Sequence, residues 1–222
     1  MPTTSGSFMT DSHGAVAHHF DDVEQQHEAA TLGMWAFLVT EIMFFGGMFL
    51  AYTVYRSVYP EAFAHASNHM NVVLGTVNTA VLIGSSLSVA MAVHAAHVSK
   101  SRNLLIWLFV TIFLGAAFLG IKFVEYHHHF EARLVPGWNF AYEGADARHA
   151  AVFFSFYFTM TGMHAVHMII GIGMFFVLAW NSWRGHYSRL YYTPIELGGL
   201  YWHFVDIVWI FLFPLFYLVG RH

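Results

Sequence analysis

The sequence contains no cysteine, and only 10% of its 222 residues are charged. Without cysteine the chain cannot form a disulfide, ligate an iron–sulfur cluster, build a thiolate-bridged copper centre or attach haem covalently. Soluble domains are about one quarter charged, so the polar surface that such a domain needs is missing. The formal net charge is −4 and no basic run occurs, which argues against a nucleic-acid partner.

Apolar residues make up 57% of the chain and aromatic residues 18%. They gather in five stretches, each long enough to cross a hydrocarbon core of about 30 Å as a helix. A membrane-spanning barrel would need alternating polarity, which is absent. The sequence therefore predicts an all-α integral membrane protein, a bundle of five transmembrane helices. The stretches are residues 32–54, 74–96, 104–126, 152–180 and 198–219.

The chain is expected to divide into a polar N-terminal tail, residues 1–30, and a five-helix transmembrane domain, residues 31–222. The tail lacks the basic start and apolar core of a signal peptide. Its histidines are more typical of a solvated tail than of a metal site; they are His13, His18, His19 and His27. Basic residues in the two shortest connections, among them Lys100 and Arg102, place the N-terminus in the cytoplasm.

Several polar residues fall inside the apolar stretches, where hydrocarbon cannot solvate them. Glu41 has two open interpretations: a proton carrier or lipid contact, or a neutral carboxyl hydrogen-bonded within the bundle. Lys122 and Glu125 stand three residues apart, a spacing that predicts a pair on one helix face. A second pattern predicts close helix packing through small residues spaced by four, namely Ala80, Gly84, Ser88, Ala92 and Ala96.

Two further groups lie in the last two stretches. His164 and His167 share a helix face and could ligate a metal or haem with Asp206 or Glu125 as a further ligand. Neutral imidazoles that form hydrogen bonds across helices are the favoured alternative. His203 stands one turn before Asp206, which predicts a hydrogen bond or ion pair between them and a buried network that fixes which helix faces meet.

At these residues the sequence resembles subunit III of the haem–copper respiratory oxidases. Five blocks occur in the family's order: LGMWAFLVTEIMFFGGMFLAY, NTAVLIGSSLSVAMAVHAA, IKFVEY, TGMHAVHMIIG and WHFVDIVWIFLF. They contain all the candidates for buried polar, lipid-related or proton-related roles: Glu41, Glu125, His164, His167, His203 and Asp206. One difference is Lys122, which stands where some members have glutamine.

The resemblance implies a non-catalytic subunit of a proton-pumping terminal oxidase that reduces O2 with electrons from cytochrome c or quinol. Such a subunit holds no haem, copper or catalytic residue of its own, and its partners, subunits I and II, carry the haem and copper. Its role is to support assembly, proton uptake and stability of the catalytic subunit, with phospholipid as a bound ligand. Larger members have two more helices, so the five-helix form resembles bacterial subunits and implies a bacterial inner membrane.

Three alternatives stay open from the sequence. The nearest is the similar accessory subunit of a nitric oxide reductase. The second is an independent proton or solute carrier with Glu41, Glu125 and Asp206 as a relay, although the inverted repeats and broken helices typical of carriers are not seen. The third is an intramembrane metalloenzyme that uses His164, His167 and Asp206.

Overall fold

The computed structural model describes residues 22–98, 100–137, 140–142, 146–184 and 192–218. His13, His18 and His19 of the predicted tail lie outside these residues. Within them, five helices are long and apolar enough to cross a membrane, which confirms the predicted five-span bundle. The elements are α1 (Val23–Val58), α2 (Pro60–Ser67), α3 (Val72–His97), α4 (Ser101–Glu131), α5 (Ala147–Trp183) and α6 (Thr193–Phe213), followed by a π-helical turn (Pro214–Leu218).

Each long helix begins before its predicted apolar stretch. Helix α1 begins at Val23, inside the segment assigned to the tail, because Asp22 caps it: the Asp22 side chain accepts a hydrogen bond from the Gln25 backbone N–H at 2.7 Å. An aspartate at this position satisfies one of the free N–H groups of the first turn. Helix α3 begins in the same way, with the Asn71 side chain accepting from the backbone of Val73 and Leu74.

The short helix α2 was not predicted. Pro60 stands at its first position, where a missing N–H does no harm. Its Phe63 is buried and packs edge-on against Phe153 of α5. Helix α2 therefore covers the end of the bundle at which α1 ends and α5 begins.

Helix α6 is the central element and α1 the peripheral one. Half of the apolar window of α6 is buried inside the chain, against 11% for α1. Helices α3 and α4 pack together, and most of the predicted small-residue pattern is buried: Ser88, Ala92 and Ala96 are buried and Gly84 is half-buried, whereas Ala80 is exposed. Ser88 also forms a hydrogen bond of 2.7 Å with Thr111 of α4.

Helix α6 changes to a π-helical turn at Pro214. Proline lacks the N–H that would continue the α-helical ladder, and π-type turns occur where that ladder is interrupted. The hydroxyl of Tyr52 in α1 donates to the carbonyl of Leu215 at 2.9 Å. This bond satisfies a carbonyl of the turn and ties α1 to the end of α6.

Candidate functional site

The intramembrane polar residues gather in three places. The first is the Lys122 cluster, formed by Lys122, Glu125, Tyr157, Tyr217 and His129. The second is the pair of Glu41 and His167. The third is the Asp206 pocket between α3 and α6, whose polar lining is Thr79, Ser86, His203, Asp206 and Trp209.

The Lys122 cluster joins α4, α5 and the π-helical turn. The Lys122 ammonium lies 3.0 Å from the Glu125 carboxylate, 3.1 Å from the Tyr157 hydroxyl and 2.8 Å from the Tyr217 hydroxyl. An ammonium has three donors, so its hydrogen-bonding capacity is filled. The predicted pair of Lys122 and Glu125 is confirmed. These residues meet because α4 ends, α5 begins and α6 ends on the same side of the bundle.

The charges of this cluster balance within it. The second carboxylate oxygen of Glu125 accepts from the Tyr217 hydroxyl, and the His129 imidazole lies 3.9 Å from that oxygen. The Lys122 nitrogen also lies 4.9 Å from the centre of the Trp209 ring and 5.0 Å from that of Tyr157, distances at which aromatic faces attract a cation. The aromatic partners were not predicted from the sequence, since they come from distant segments.

Glu41 and His167 link α1 to α5. The Nε2 atom of His167 lies 3.0 Å from a carboxyl oxygen of Glu41, and its Nδ1 lies 2.8 Å from the carbonyl oxygen of Met163. A carbonyl oxygen only accepts, so Nδ1 carries a proton. The bond to Glu41 therefore holds one further proton, either on a neutral carboxyl that donates to Nε2 or on an imidazolium that donates to a carboxylate. Tyr201 of α6 adds a bond of 3.0 Å to the carbonyl of His167.

His164 does not join His167 in a ligand set. Its ring lies 5.5 Å from that of Phe118 and 5.2 Å from that of Trp209. It is buried, and neither ring nitrogen has a hydrogen-bond partner in the described part of the chain. Of the two histidines, only His167 forms the expected hydrogen bond across helices. Among the described residues, no group of three or more metal-ligating side chains comes together.

The predicted contact between His203 and Asp206 is wrong. The His203 ring turns to α3, where its Nδ1 lies 2.7 Å from the Ser86 hydroxyl. Neither carboxyl oxygen of Asp206 has a hydrogen-bond partner within the residues that the structure describes, although the side chain is buried. The reason is competition, because a hydroxyl on the neighbouring helix binds the imidazole that was assigned to Asp206.

Two tryptophans of α6 complete the contact with α3. The indole N–H of Trp202 donates to the Ser85 hydroxyl at 3.0 Å, and that of Trp209 donates to the Thr79 hydroxyl at 3.1 Å. Both tryptophans lie in the block WHFVDIVWIFLF, but their hydroxyl partners on α3 were not predicted. The signal was present, since serine and threonine recur along one apolar stretch and need a partner in hydrocarbon.

Comparisons with known proteins agree over nearly the whole chain. A family model described as Cytochrome c oxidase subunit III matches residues 9–221. Cytochrome c oxidase subunit 3 of Thermostichus vulcanus is 32% identical over 90% of this chain and 92% of its own length. Cytochrome bo(3) ubiquinol oxidase subunit 3 of Pseudomonas aeruginosa is 32% identical over 96% of this chain and 95% of its own length. Cytochrome c oxidase subunit 3 of Equus caballus is 30% identical over 91% of this chain and 73% of its own length.

Proposed function

Because the chain belongs to the cytochrome c oxidase subunit III family, we propose that subunits I and II of the same oxidase are its partners and that they carry the haem and copper. The family assignment makes the chain an accessory subunit of a haem–copper terminal oxidase, a multi-pass membrane protein that associates with other oxidase subunits. The family match over residues 9–221 is the observation that carries the proposal.

The proposed role is support: the chain sustains assembly, proton uptake and stability of the catalytic subunit without chemistry of its own. The contacts of its polar residues favour this role. Glu125 neutralises Lys122, Glu41 pairs with His167, and His203 is bonded to α3. No hydrogen bond between described residues joins the Lys122 cluster to the pair of Glu41 and His167, so a continuous proton route through the chain lacks support. The chain would act on proton uptake by positioning its partner.

Bound phospholipid is part of the proposal. A cavity of about 410 Å³ between α1 and α6 is almost wholly apolar, and Gly46, Phe49 and Phe211 are among its lining residues. An acyl chain has the shape and polarity for this groove. The lipid would then cover part of α1, the helix that the rest of the chain buries least.

We further propose a bacterial inner membrane, with residues 1–30 as a cytoplasmic tail and residues 31–222 as the membrane domain. Lys100 and Arg102 flank the short connection of α3 and α4, and Arg184 follows the end of α5. These basic residues lie on the side at which α1 begins. Basic residues in short connections favour the cytoplasmic side.

The test is gentle purification of the tagged chain from its native membrane, followed by a reduced-minus-oxidised spectrum and rates of gas consumption. We expect haem bands and larger hydrophobic partners to co-purify, with oxygen uptake from either reduced cytochrome c or ubiquinol; the donor that works identifies the electron source. Nitric oxide consumption without oxygen uptake would move the chain to a reductase. A colourless single chain would overturn the proposed partners.

A deletion tests the supporting role. Without the chain, the oxidase that is still assembled is expected to keep its haem spectrum and initial rate of oxygen uptake but to inactivate after fewer turnovers. Restoring the chain on a plasmid is the control and should restore the turnover number. Unchanged assembly and an unchanged turnover number would contradict the role.

A further inference from the structure

The Asp206 pocket reaches the outer surface of the bundle. Its volume is about 320 Å³, and its outward rim is formed by Ile83 of α3 and by Ile207 and Ile210 of α6. All three isoleucines are exposed in the isolated chain. Most of the lining is apolar, but Ser86, Asp206 and the other polar side chains named above contribute to the inner wall. Polar side chains in a recess that opens to the surface of the bundle are unusual where that surface meets only lipid tails.

The carboxyl group of Asp206 is buried and incompletely hydrogen-bonded within the described chain. The Ser86 hydroxyl lies near Asp206 and is also hydrogen-bonded to His203, so it can satisfy at most one of the two carboxyl oxygens. Neither oxygen has a partner at good hydrogen-bond geometry in the described chain. The Thr79 hydroxyl is engaged too, since it donates to Gly75 and accepts from Trp209. A polar group left unpaired destabilises a protein interior, and it does so more strongly in hydrocarbon.

Depth in the membrane limits what can supply that partner. Asp206 lies at the middle of the span Thr193–Leu218, and Ser86 at the middle of the span Val72–His97. The middle of the hydrocarbon core lies about 15 Å from either headgroup layer. A lipid headgroup therefore stays out of reach, and acyl tails offer no donor. A side chain on another transmembrane helix can enter at this depth.

We propose that a transmembrane helix of a neighbouring oxidase subunit docks on α3 and α6 over the Asp206 pocket and inserts a hydrogen-bond donor side chain that pairs with Asp206. The inference rests on the proposed function, because it needs the neighbouring subunits of the oxidase. Membrane helices associate through packing and through polar side chains that form hydrogen bonds across the interface. The isoleucine rim offers an apolar surface for packing, and Asp206 offers a group for a hydrogen bond. His164 also lacks a partner, but Phe118 and Trp209 enclose it, so it is no docking point.

Photo-crosslinking in the intact oxidase tests the contact. The probe p-benzoylphenylalanine replaces Ile83 or Ile210, one on each side of the pocket. The reference position is Phe176 of α5, which is 52% exposed against 50% for Ile210. We expect both pocket positions to yield peptides from one transmembrane segment of another subunit, different from the product at Phe176. Products that carry only lipid, only a small molecule, or a second copy of this chain would overturn the inference.

A second measurement follows retention of the chain in the purified complex during detergent washing. Asp206→Leu is expected to raise the dissociation rate about tenfold, the effect of losing one interhelical hydrogen bond, whereas Asp206→Asn keeps a bonding group and should stay close to the wild type. Ser182→Ala is the control, because Ser182 is also buried without a partner in the described chain but does not line the pocket.

The two proposals fail differently. If the chain purifies without a haem-bearing partner, the proposed function fails. If the chain co-purifies with its partners, but Asp206→Leu is retained like the wild type and the products at Ile83 and Ile210 carry lipid alone, only the docking inference fails.

Discussion

The Lys122 ammonium lies 3.0 Å from the Glu125 carboxylate three residues later in α4, and both side chains are buried. Removing such charges from water costs several kcal/mol per ion, and their attraction offsets this only when further hydrogen bonds complete the geometry. Tyr157 and Tyr217 provide those bonds. The pair is therefore stable as a unit, and the loss of one member leaves an uncompensated buried charge.

Glu125→Gln is expected to lower the free energy of unfolding by about 3–5 kcal/mol, because it leaves the Lys122 charge buried and unpaired. The double variant with Lys122→Met should recover most of this loss, since both charges are then gone. Thermal unfolding in detergent of the four chains of this double-mutant cycle measures the effect. Losses that simply add would contradict the paired arrangement.

An exposed pair on the same helix gives the matched control. His127 and Glu131 lie 3.6 Å apart and both are exposed. Exposed ion pairs contribute about 0–1 kcal/mol. Glu131→Gln should therefore change the unfolding free energy by less than about 1 kcal/mol, in the same assay.

The hydrogen bond between Glu41 and His167 is expected to hold α1 against α5. Glu41→Leu is expected to weaken the docking of α1 by about 1–2 kcal/mol, the contribution of an interhelical hydrogen bond in a membrane. Hydrogen exchange of α1 in the purified complex measures this. Thr40→Val is the control, since the Thr40 hydroxyl donates to the Phe37 carbonyl of its own helix. Unchanged exchange in Glu41→Leu would contradict the role.

Glu41→Gln distinguishes the two protonation states of this pair. A glutamine amide can donate to a neutral imidazole, so α1 should keep its wild-type exchange if the native carboxyl is the neutral donor. If the native pair is an imidazolium and a carboxylate, Glu41→Gln keeps an amide carbonyl that can accept but loses the attraction between opposite charges, so the exchange of α1 should lie between that of the wild type and that of Glu41→Leu. The same exchange measurement separates these outcomes.

The spans were predictable because bilayer thickness sets a minimum length of apolar sequence. The ends of the helices could not be predicted from hydropathy, because α1 is extended by the Asp22 cap and by polar residues that favour a helix. Helix α2 is only eight residues long, so a search for apolar stretches that can cross a membrane does not find it. The π-helical turn follows from Pro214 only after α6 is known to continue to that residue.

Within the site, the local contact was predictable and the distant ones were not. The contact of Lys122 with Glu125 follows from helix geometry alone. Glu41 and His167 are 126 residues apart, and their bond depends on which helices are neighbours. The contact of His203 with Asp206 also looked local, but the Ser86 hydroxyl on α3 binds the imidazole. Spacing on one helix therefore predicts a contact only where no neighbouring helix competes.

The close packing of Gly171 against Trp202 predicts that a single added methyl group destabilises the bundle. A Cβ atom at Gly171 would lie 2.8 Å from the Trp202 ring, so Gly171→Ala should destabilise the bundle by about 1–3 kcal/mol through overpacking. Gly173→Ala, two residues along α5, meets nothing within 4 Å and should be neutral or stabilising by up to about 1 kcal/mol through helix propensity. Thermal unfolding compares the two, and equal effects would contradict the packing.

Trp202 also packs against a glycine of α4, Gly115, which allows the same comparison on a second helix. A Cβ at Gly115 would lie 2.9 Å from the Trp202 ring, whereas one at Gly120 meets nothing within 4 Å. Gly115→Ala should therefore destabilise and Gly120→Ala should not. If Gly115→Ala and Gly171→Ala are less than additive when combined, the shared neighbour Trp202 has moved to relieve both contacts.

His164 and His167 lie one turn apart on α5 but differ in their hydrogen bonds: His167 bonds to Glu41 and Met163, whereas neither ring nitrogen of His164 has a partner among the described residues. His164→Leu removes a buried imidazole with no hydrogen-bond partner among the described residues, and replacing unsatisfied polar groups by apolar ones of similar shape can be neutral or stabilising. His167→Leu removes the partner of Glu41 and strands its carboxyl, so it should cost about 1–3 kcal/mol. Thermal unfolding of the two variants measures the difference. A loss in His164→Leu as large as that in His167→Leu would contradict this difference, because the imidazole of His164 has no hydrogen bond to lose among the described residues.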